Sequence, residues 1–258
     1  MEKTAYLILE SGQIFKGQCF GADGDITGEI VFTTSMTGYL ETLTDPSFYG
    51  QMVVQTFPLI GNYGVIPSDF ESDISHVKAY IVREWCQEPS NFRSEGNLDA
   101  FLKSQNVIGI YNIDTRALTK ILREYGVMNA RITSSAEDYL ATPENLKKYK
   151  IDNAVLSVSF DTPYESKNAA DKYKVVLWDF GTKANIRREL EKRDCHVIVI
   201  PAGTTADEIV SMKPDGVVLS NGPGDPAENS GIIKEISMLS EAKIPMFGIN
   251  LGHLLLAL

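Results

Sequence analysis

Five consecutive residues near the end of the chain, Gly248-Ile249-Asn250-Leu251-Gly252, have the glycine spacing of a nucleophile elbow. In such a strand-to-helix turn, small flanking residues permit close backbone approach, and the central side chain rises above the edge of the sheet. The central residue here is Asn250, whose amide cannot attack a substrate as a serine hydroxyl or cysteine thiolate does. Asparagine tolerates a positive φ better than most residues, so the turn can form without a nucleophile.

The residues after Asn250 provide a candidate hydrogen-bond donor for an oxyanion but no clear general base. In an elbow, the next backbone N–H donates to a developing oxyanion, which makes Leu251 the candidate donor. His253 follows three residues after Asn250 on the predicted helix. For His253 we expect a structural role, packing or capping, and not a catalytic dyad.

Two other loops are rich in glycine. In Ser220-Asn221-Gly222-Pro223-Gly224-Asp225-Pro226, the glycines can aim backbone N–H groups at an anion or carboxylate, and a tight turn without a ligand is the open alternative. The loop 179–183, with sequence DFGTK, matches neither phosphate-binding pattern, GxGxxG or GxxxxGK[ST], so a helix-opening turn is favoured there.

A regular alternation of strands and helices positions these loops. From Tyr173 onward, near-continuous apolar strands such as VVLW and VIVI alternate with amphipathic helices such as NIRREL and GIIKEISML. This rhythm is typical of βαβ units around a buried parallel sheet. It predicts a doubly wound, flavodoxin-like α/β domain over 173–258, with ligands at the carboxyl ends of the strands.

The first half of the chain has a different pattern. Over 1–150, short strand candidates and glycine turns alternate irregularly, which predicts an α+β domain. Its clearest helix is LTKILREY, with Asp114 as N-cap and Gly126 just past the end. A polar stretch extends to about residue 172 and predicts the connection between the two domains.

The composition excludes several classes of protein. The chain has 258 residues, of which 43% are hydrophobic and 22% charged, and a formal net charge of −10. That charge disfavours nucleic-acid and anionic-membrane partners. Three separated cysteines, without Cys/His ligand spacing, indicate neither a disulfide framework nor a metal site. The cysteine usage fits a reducing cytosol, and no signal peptide or long apolar run is visible, so we expect a cytoplasmic protein.

In order and spacing, several motifs of the chain resemble the small (glutaminase) subunit of glutamine-dependent carbamoyl-phosphate synthase. The resemblance spans nearly the whole chain and is carried by TGEIVFTTSMTGYLETLTDPSFYGQMVVQTFPLIGNYG, GIYNIDTRALTKILREYG, DFGTKANIRREL, LSNGPGDP and FGINLGH. It implies an N-terminal domain peculiar to that subunit, followed by a class I glutamine amidotransferase domain. In that family a Cys-His-Glu triad hydrolyses L-glutamine.

The resemblance also implies a partner and a pathway. Ammonia would pass through a tunnel to a large synthetase subunit, which uses ATP, with Mg²⁺, and bicarbonate to make carbamoyl phosphate. That product feeds arginine and pyrimidine biosynthesis. No cofactor is expected in this chain itself, because ATP belongs to the partner, and a heterodimer or higher assembly is expected.

Matched position by position, the family's glutamine site includes Ser47 in TDPSF, Gly222 and Gly224 in NGPGDP, and the backbone of Leu251. Taken alone, Ser47 is typical of a turn hydroxyl. The resemblance implies that the loop with the two glycines lies against the substrate. A backbone N–H of that loop would pair with the Leu251 N–H to hold the oxyanion.

Three departures from the family predict a form that does not hydrolyse glutamine. Asn250 stands at the position of the nucleophilic cysteine of GICLGHQ, and Leu254 stands at that of its glutamine-contacting Gln. The sequence also ends at Leu258, before the His-x-Glu pair, and we expect it to be part of a longer protein. Natural loss, engineering and an error in the recorded residues remain alternatives for the two substitutions.

Two other functions stay open at this stage. The paired changes at Asn250 and Leu254 also suit a non-hydrolytic docking or regulatory subunit of an ammonia-using synthase. A flavodoxin-like nucleotide or cofactor binder is the third hypothesis, but it rests on the α/β rhythm alone and lacks a phosphate fingerprint.

Overall fold

The structure is a computed structural model that describes residues 3–135, 143–166 and 172–258. Its residues form two compact units. The first comprises the described residues of Met1–Thr44 and Gly50–Ile151, and the second those of Asp45–Tyr49 and Asp152–Leu258. The segment Asp45–Tyr49 therefore groups with the C-terminal half of the chain. Parts of the predicted polar connection lie outside the described residues.

The first unit is built around a closed β-barrel. Its strands are β1 (Thr4–Leu9), β2 (Ile14–Gly21), β3 (Ile26–Thr33), β4 (Gln51–Gln55), β5 (Leu59–Ile60), β6 (Ala79–Ile81), β7 (Glu84–Trp85), β8 (Ile108–Tyr111) and β9 (Met128–Thr133). The barrel order is β1-β2-β8-β6-β4-β3-β9, and β5 pairs with β7 in a separate short ladder. Strand β1 pairs antiparallel with both β2 and β9, so strands from the two ends of the unit are neighbours.

Alternate residues of the barrel strands fill its interior. Met52 and Val54 of β4 are fully buried in one apolar cluster with Ile30 of β3 and Ile81 of β6. This spacing of two residues follows from the geometry of a strand, whose successive side chains point to opposite faces. The helices of this unit are α1 (Tyr39–Thr44), α2 (Leu98–Ser104), α3 (Thr115–Tyr125) and α4 (Pro143–Leu146).

Helix α3 begins and ends where the sequence predicts. The side chain of Asp114 accepts a hydrogen bond from the backbone N–H of Ala117 at 2.9 Å, and Gly126 follows the helix with a φ of 82°. These two caps are confirmed. The mixture of strands and helices agrees with the α+β prediction, whereas the closure of the barrel is a finding of the structure.

The second unit contains a mainly parallel sheet. Its strands are β10 (Tyr164–Glu165), β11 (Tyr173–Asp179), β12 (Cys195–Pro201), β13 (Gly216–Leu219) and β14 (Met246–Gly248), in the order β10-β12-β11-β13-β14. Its helices are α5 (Ala154–Val158), α6 (Ala184–Glu191), α7 (Ala206–Ser211), α8 (Ser230–Glu241) and α9 (Leu251–Ala257). The alternation predicted from Tyr173 onward is therefore present.

One strand of this sheet lies where the sequence predicts only a connection. Strand β10 pairs antiparallel with β12, with Tyr164 opposite Val199, whereas β11, β12, β13 and β14 pair in parallel. A two-residue strand with polar neighbours carries too little periodicity to be recognised from sequence. The expected connection thus contributes an edge strand to the second unit.

Both faces of the sheet are packed. Trp178 of β11 belongs to a buried cluster with Leu239 of α8 on one face, and Leu177 packs with Leu190 of α6 on the other. Neighbouring strand residues therefore serve opposite faces, which explains the unbroken apolar run in the sequence. Within the described part of the chain, no helix is long and apolar enough to span a lipid bilayer.

Candidate functional site

Three loops of the second unit meet at the carboxyl edge of the parallel sheet. They follow β11, β13 and β14 and comprise residues 180–183, 220–225 and 249–250. Trp178 pairs with Leu219, and Leu219 pairs with Gly248, so the three strands end at the same level. This edge is where doubly wound sheets place their ligands.

The turn between β14 and α9 is sharp. Asn250 has φ 50° and ψ −112°, a conformation that side-chain-bearing residues rarely adopt. The backbone N–H of Ile249 donates to the carbonyl oxygen of Leu219 at 2.9 Å, and that of Gly252 donates to Ser220 at 3.0 Å. Backbone contacts on both sides of Asn250 therefore tie the turn to the end of β13.

Packing requires the two glycines that flank Asn250. A Cβ atom at Gly248 would lie 2.6 Å from the carbonyl oxygen of Gly252, and one at Gly252 would lie 2.3 Å from the carbonyl oxygen of Leu219. Both distances are far below van der Waals contact, and in both cases the obstacle is backbone. The glycine spacing of the sequence thus has a steric cause, as expected for an elbow.

The side chain of Asn250 bonds to the candidate oxyanion donor. Its Oδ1 accepts a hydrogen bond from the backbone N–H of Leu251 at 2.7 Å. The carboxamide of Asn250 therefore occupies the hydrogen of this N–H, while the side chain of Leu251 is buried. The turn has the backbone of an elbow, but its central side chain is not a nucleophile and its donor is engaged.

The loop after β13 packs directly on the other two loops. A Cβ atom at Gly222 would lie 2.2 Å from the carbonyl oxygen of Phe180 and 2.8 Å from Cδ2 of Leu251. The backbone N–H of Phe180 donates to Oγ of Ser220 at 2.9 Å. Gly224 has a φ of 86°, which favours glycine. The structure thus brings Gly222 and Leu251 together.

Asp179 shapes the loop after β11. Its fully buried carboxylate accepts hydrogen bonds from the backbone N–H groups of Gly181 at 2.9 Å, Thr182 at 2.7 Å and Phe160 at 2.8 Å. Charge-assisted bonds of this kind are strong. Because they occupy the N–H groups of Gly181 and Thr182, this loop is the helix-opening turn that the sequence favours and not a phosphate cradle.

Ser47 lies beside the loops after β11 and β13. It belongs to the 3₁₀ turn Pro46–Phe48, and its backbone N–H donates to Oδ1 of Asp45 at 2.9 Å. Nδ2 of Asn221 donates to Oγ of Ser47 at 2.8 Å. Nζ of Lys183 lies 2.8 Å from Oδ2 of Asp45. Polar contacts from two strand ends therefore hold the Ser47 turn in the second unit.

Sequence reasoning did not single out the residues that hold Ser47. The Asp-Pro-Ser run does signal that Asp45 caps a turn. The hydrogen bond between Ser47 and Asn221 joins residues 174 positions apart in the chain, so no local sequence pattern predicts it. The role of the Asp179 carboxylate is equally hard to predict from the sequence, because its hydrogen-bond partners are backbone N–H groups, which every residue type except proline has.

The remaining candidates stand apart from these contacts. Leu254 is 48% exposed on α9. His253 is also exposed, so packing, one of the two structural roles expected for it, is wrong. Nε2 of His196 lies 3.3 Å from Oε2 of Glu165, but His196 is near the start of β12, at the amino edge of the sheet opposite the three loops.

Two family models match the chain. Residues 7–132 match "Carbamoyl-phosphate synthase small chain, CPSase domain", and residues 176–258 match "Glutamine amidotransferase class-I". The second match includes all three loops at the carboxyl edge of the sheet. The first includes the barrel strands β2, β3, β4, β6 and β8 and most of β9, and it begins within β1.

Curated relatives with similar names align over nearly the whole chain. "Carbamoyl phosphate synthase small chain" of Bacillus thuringiensis subsp. konkukian (strain 97-27) is 48% identical over 254 residues, which are 98% of this chain and 68% of the relative. "Carbamoyl phosphate synthase pyrimidine-specific small chain" of Bacillus subtilis (strain 168) is 47% identical over 253 residues, covering 98% and 69%. The small chain of Streptococcus agalactiae serotype III (strain NEM316) is 45% identical, covering 97% and 70%.

Proposed function

Because the chain belongs to the carbamoyl-phosphate synthase small chain family, we propose that it is the glutamine amidotransferase subunit of such an enzyme. In this role it binds L-glutamine and serves a large synthetase subunit, which holds ATP and Mg²⁺, in the cytoplasm. The observation that carries the proposal is the turn at Asn250, with its positive φ and tight glycine packing against the loop after β13.

The domain assignment is part of the same proposal. Residues 1–150 form the domain peculiar to the small subunit, and residues 173–258 belong to a doubly wound, flavodoxin-like amidotransferase domain. The parallel order β12-β11-β13-β14, with helices on both faces, supports the second assignment. The product of the complex would enter arginine or pyrimidine biosynthesis.

The loops after β13 and β14 and the Ser47 turn then have separate roles in the chemistry of glutamine. Residue 250 marks the position from which a nucleophile attacks the carboxamide carbon. The N–H of Leu251, with one from residues 222–224, would stabilise the oxyanion of the tetrahedral intermediate. Ser47 would bind the substrate, and Leu254 stands where the family places a side chain in contact with glutamine.

We further propose that Asn250 prevents hydrolysis in two ways. An amide nitrogen does not form the thioester that a cysteine would form. Removing the nucleophile of a serine hydrolase costs about 10⁶ in kcat, which sets the scale of the loss. In addition, Oδ1 of Asn250 competes with the substrate for the N–H of Leu251.

The described histidines of the second unit do not supply an alternative dyad to this turn. His196 and Glu165 form a pair, but at the opposite edge of the sheet. His253 is exposed and follows Asn250 by three residues on α9. Neither contributes a base to residue 250 in this arrangement.

A second candidate is a docking subunit that supports ammonia-dependent synthesis without hydrolysing glutamine. The hydrogen bond between Asn250 and Leu251 favours the docking subunit, because the Asn250 side chain already accepts from the N–H that a substrate oxygen would need. The exposed, apolar Leu254 at a position that would contact substrate points the same way. The two candidates share the fold and the partner and differ in whether glutamine binds.

The test combines the chain with the large subunit of a bacterial carbamoyl-phosphate synthase. Isothermal calorimetry measures glutamine binding, with L-asparagine, one methylene shorter, as the matched control ligand. Glutamate release and carbamoyl phosphate formation are then measured with glutamine and, separately, with ammonium. We expect glutamine to bind, no glutamate release above background, and synthesis with ammonium alone.

Each departure from this result identifies a different error. Glutamate release at the rate of an ordinary amidotransferase would refute the role given to Asn250. Absence of glutamine binding, with ammonium-dependent synthesis intact, would favour the docking subunit. Failure to associate with the large subunit would refute both candidates.

A further inference from the structure

The side chain of Asn221 connects three parts of the second unit. It is 4% exposed, and Nδ2 donates to Oγ of Ser47 at 2.8 Å and to the carbonyl oxygen of Gly181 at 2.9 Å. Its Oδ1 accepts from the backbone N–H of Lys183 at 3.1 Å. Because a backbone N–H can only donate, the amide oxygen must face Lys183, and the chemistry fixes the orientation of the amide.

That orientation decides how the Ser47 hydroxyl can bond. A serine hydroxyl has one hydrogen and two lone pairs. Since Nδ2 of Asn221 can only donate, Oγ of Ser47 accepts there and keeps its own hydrogen. Within residues 3–135, 143–166 and 172–258, no protein acceptor takes that hydrogen, and Ser47 is partly exposed. The hydroxyl is therefore free to donate to an oxygen of a ligand.

Asp45 and Lys183 fix the backbone of the same turn. Oδ1 of Asp45 accepts from the Ser47 N–H at 2.9 Å and lies 3.3 Å from Nδ2 of Asn221. Oδ2 of Asp45 lies 2.8 Å from Nζ of Lys183, and the Asp45 side chain is 7% exposed. Burial weakens the screening of this pair by salt. Because the ion pair and cap already hold the backbone of the Ser47 turn, the contribution of Asn221 to this turn is the direction of the Ser47 hydroxyl.

We propose that Asn221 is a positioning residue for ligand binding, which orients the Ser47 hydroxyl so that it donates to an oxygen of the bound amino acid. The proposal rests on the proposed function, which makes that amino acid glutamine. Asn221 acts through Ser47 and does not touch the ligand itself. The consequence is that losing either residue removes the same hydrogen bond.

A double-mutant cycle on the 258-residue chain tests this coupling. Calorimetry measures the Kd of glutamine for the parent chain, Ser47→Ala, Asn221→Ala and the double variant. We expect each single variant to bind about tenfold more weakly, as for the loss of one hydrogen bond. The double variant should bind no more weakly than Ser47→Ala alone. A double variant about a hundredfold weaker, the product of the two effects, would show that Asn221 acts independently and would overturn the proposal.

Two further variants separate positioning from general stability. Asn221→Asp keeps the size of the side chain but replaces the donor by an acceptor, so the Ser47 hydroxyl turns to it and glutamine affinity falls about tenfold. Asn229→Ala is the matched control, because Nδ2 of Asn229 donates to the carbonyl oxygen of Asp225 at 3.0 Å, within its own turn. It should leave the Kd unchanged. Parent-like affinity in Asn221→Asp would contradict the proposal.

A measurement without ligand keeps the two proposals distinguishable. In the NMR spectrum of the parent chain, the side-chain NH₂ of Asn221 should give two resonances, one for each acceptor. Ser47→Ala should shift the resonance of the hydrogen bonded to Ser47 and leave the other in place. If neither moves, the contact is absent and this inference fails. The other outcome is that the resonance moves but calorimetry detects no glutamine binding, either to the parent chain or to a variant that lacks the Asn250 carboxamide. In that case the contact is present and the proposed glutamine site fails instead.

Discussion

Replacing Asn250 by glycine and by alanine separates the contribution of its side-chain hydrogen bond from the cost of backbone strain at the sharp turn. Both changes remove the 2.7 Å hydrogen bond to the N–H of Leu251, but only glycine adopts φ 50° and ψ −112° without strain. Losing a capping bond costs about 0.5–2 kcal/mol. Strain at a residue with a side chain amounts to about 1–3 kcal/mol.

These magnitudes predict opposite outcomes for the two variants. Asn250→Gly should leave the free energy of unfolding of the second unit unchanged or raise it by about 1 kcal/mol, because relief of strain offsets the lost bond. Asn250→Ala should lower it by about 1–2 kcal/mol, because it loses the bond and keeps the strain.

Urea unfolding followed by tryptophan fluorescence measures the difference. Trp178 is fully buried in the second unit, and the other tryptophan of the chain is Trp85 in the first unit. Trp85→Phe therefore provides the background in which fluorescence reports on the second unit alone. An alanine variant as stable as the glycine variant would refute the strain assigned to this turn.

The same pair of variants tests whether Asn250 competes with substrate. Both free the N–H of Leu251, so both should bind glutamine about three- to tenfold more tightly than the parent chain, the gain of roughly one hydrogen bond. Calorimetry gives the two values. Unchanged affinity in both variants would show that the carboxamide does not occupy the place of a substrate oxygen.

Two other predictions concern the packing of each unit. Gly252→Ala should lower the free energy of unfolding by about 2 kcal/mol or more, because its Cβ would lie 2.3 Å from the carbonyl oxygen of Leu219, whereas Gly231→Ala, with nothing within 4 Å, should raise it by about 0.5–1 kcal/mol. Equal effects in urea unfolding would contradict this steric argument. In the first unit, burial raises the pKa of Tyr80 well above its ordinary value of 10.0, so the unfolded chain loses its phenol proton first, and stability should fall above about pH 10 by roughly 1.4 kcal/mol per pH unit for this residue. In Tyr80→Phe, the free energy of unfolding, measured by urea unfolding at several alkaline pH values, should fall less steeply with pH. An unchanged slope would show that Tyr80 is not the cause of the pH dependence.

The parts of the fold that follow from the sequence are those with local causes. Each strand and helix after Tyr173 carries its own apolar periodicity, and the caps of α3 depend on Asp114 and Gly126, which adjoin the helix. Gly248 has a local cause of the same kind, because a Cβ there would meet the backbone of Gly252 and His253, whereas the obstacle at Gly252 is Leu219 of β13.

The parts that do not follow from the sequence depend on partners far along the chain. Barrel closure pairs Leu7 with Ile132, and strand pairing over such a distance leaves no periodic signal in either segment. The contact of Asn221 with Ser47 has the same character. A buried amide or carboxylate is recognised as functional only when its partners are known, and here the fold supplies them.

The sharp turn at Asn250 is held mainly by backbone contacts. The contacts that hold it join the backbone of Ile249 and Gly252 to Leu219 and Ser220, and none of them uses the side chain of residue 250. Asparagine at this position tolerates the positive φ and adds its own bond to Leu251. The backbone contacts that hold this turn therefore do not depend on which side chain stands at position 250, so membership of the family and a formed elbow do not by themselves imply hydrolysis.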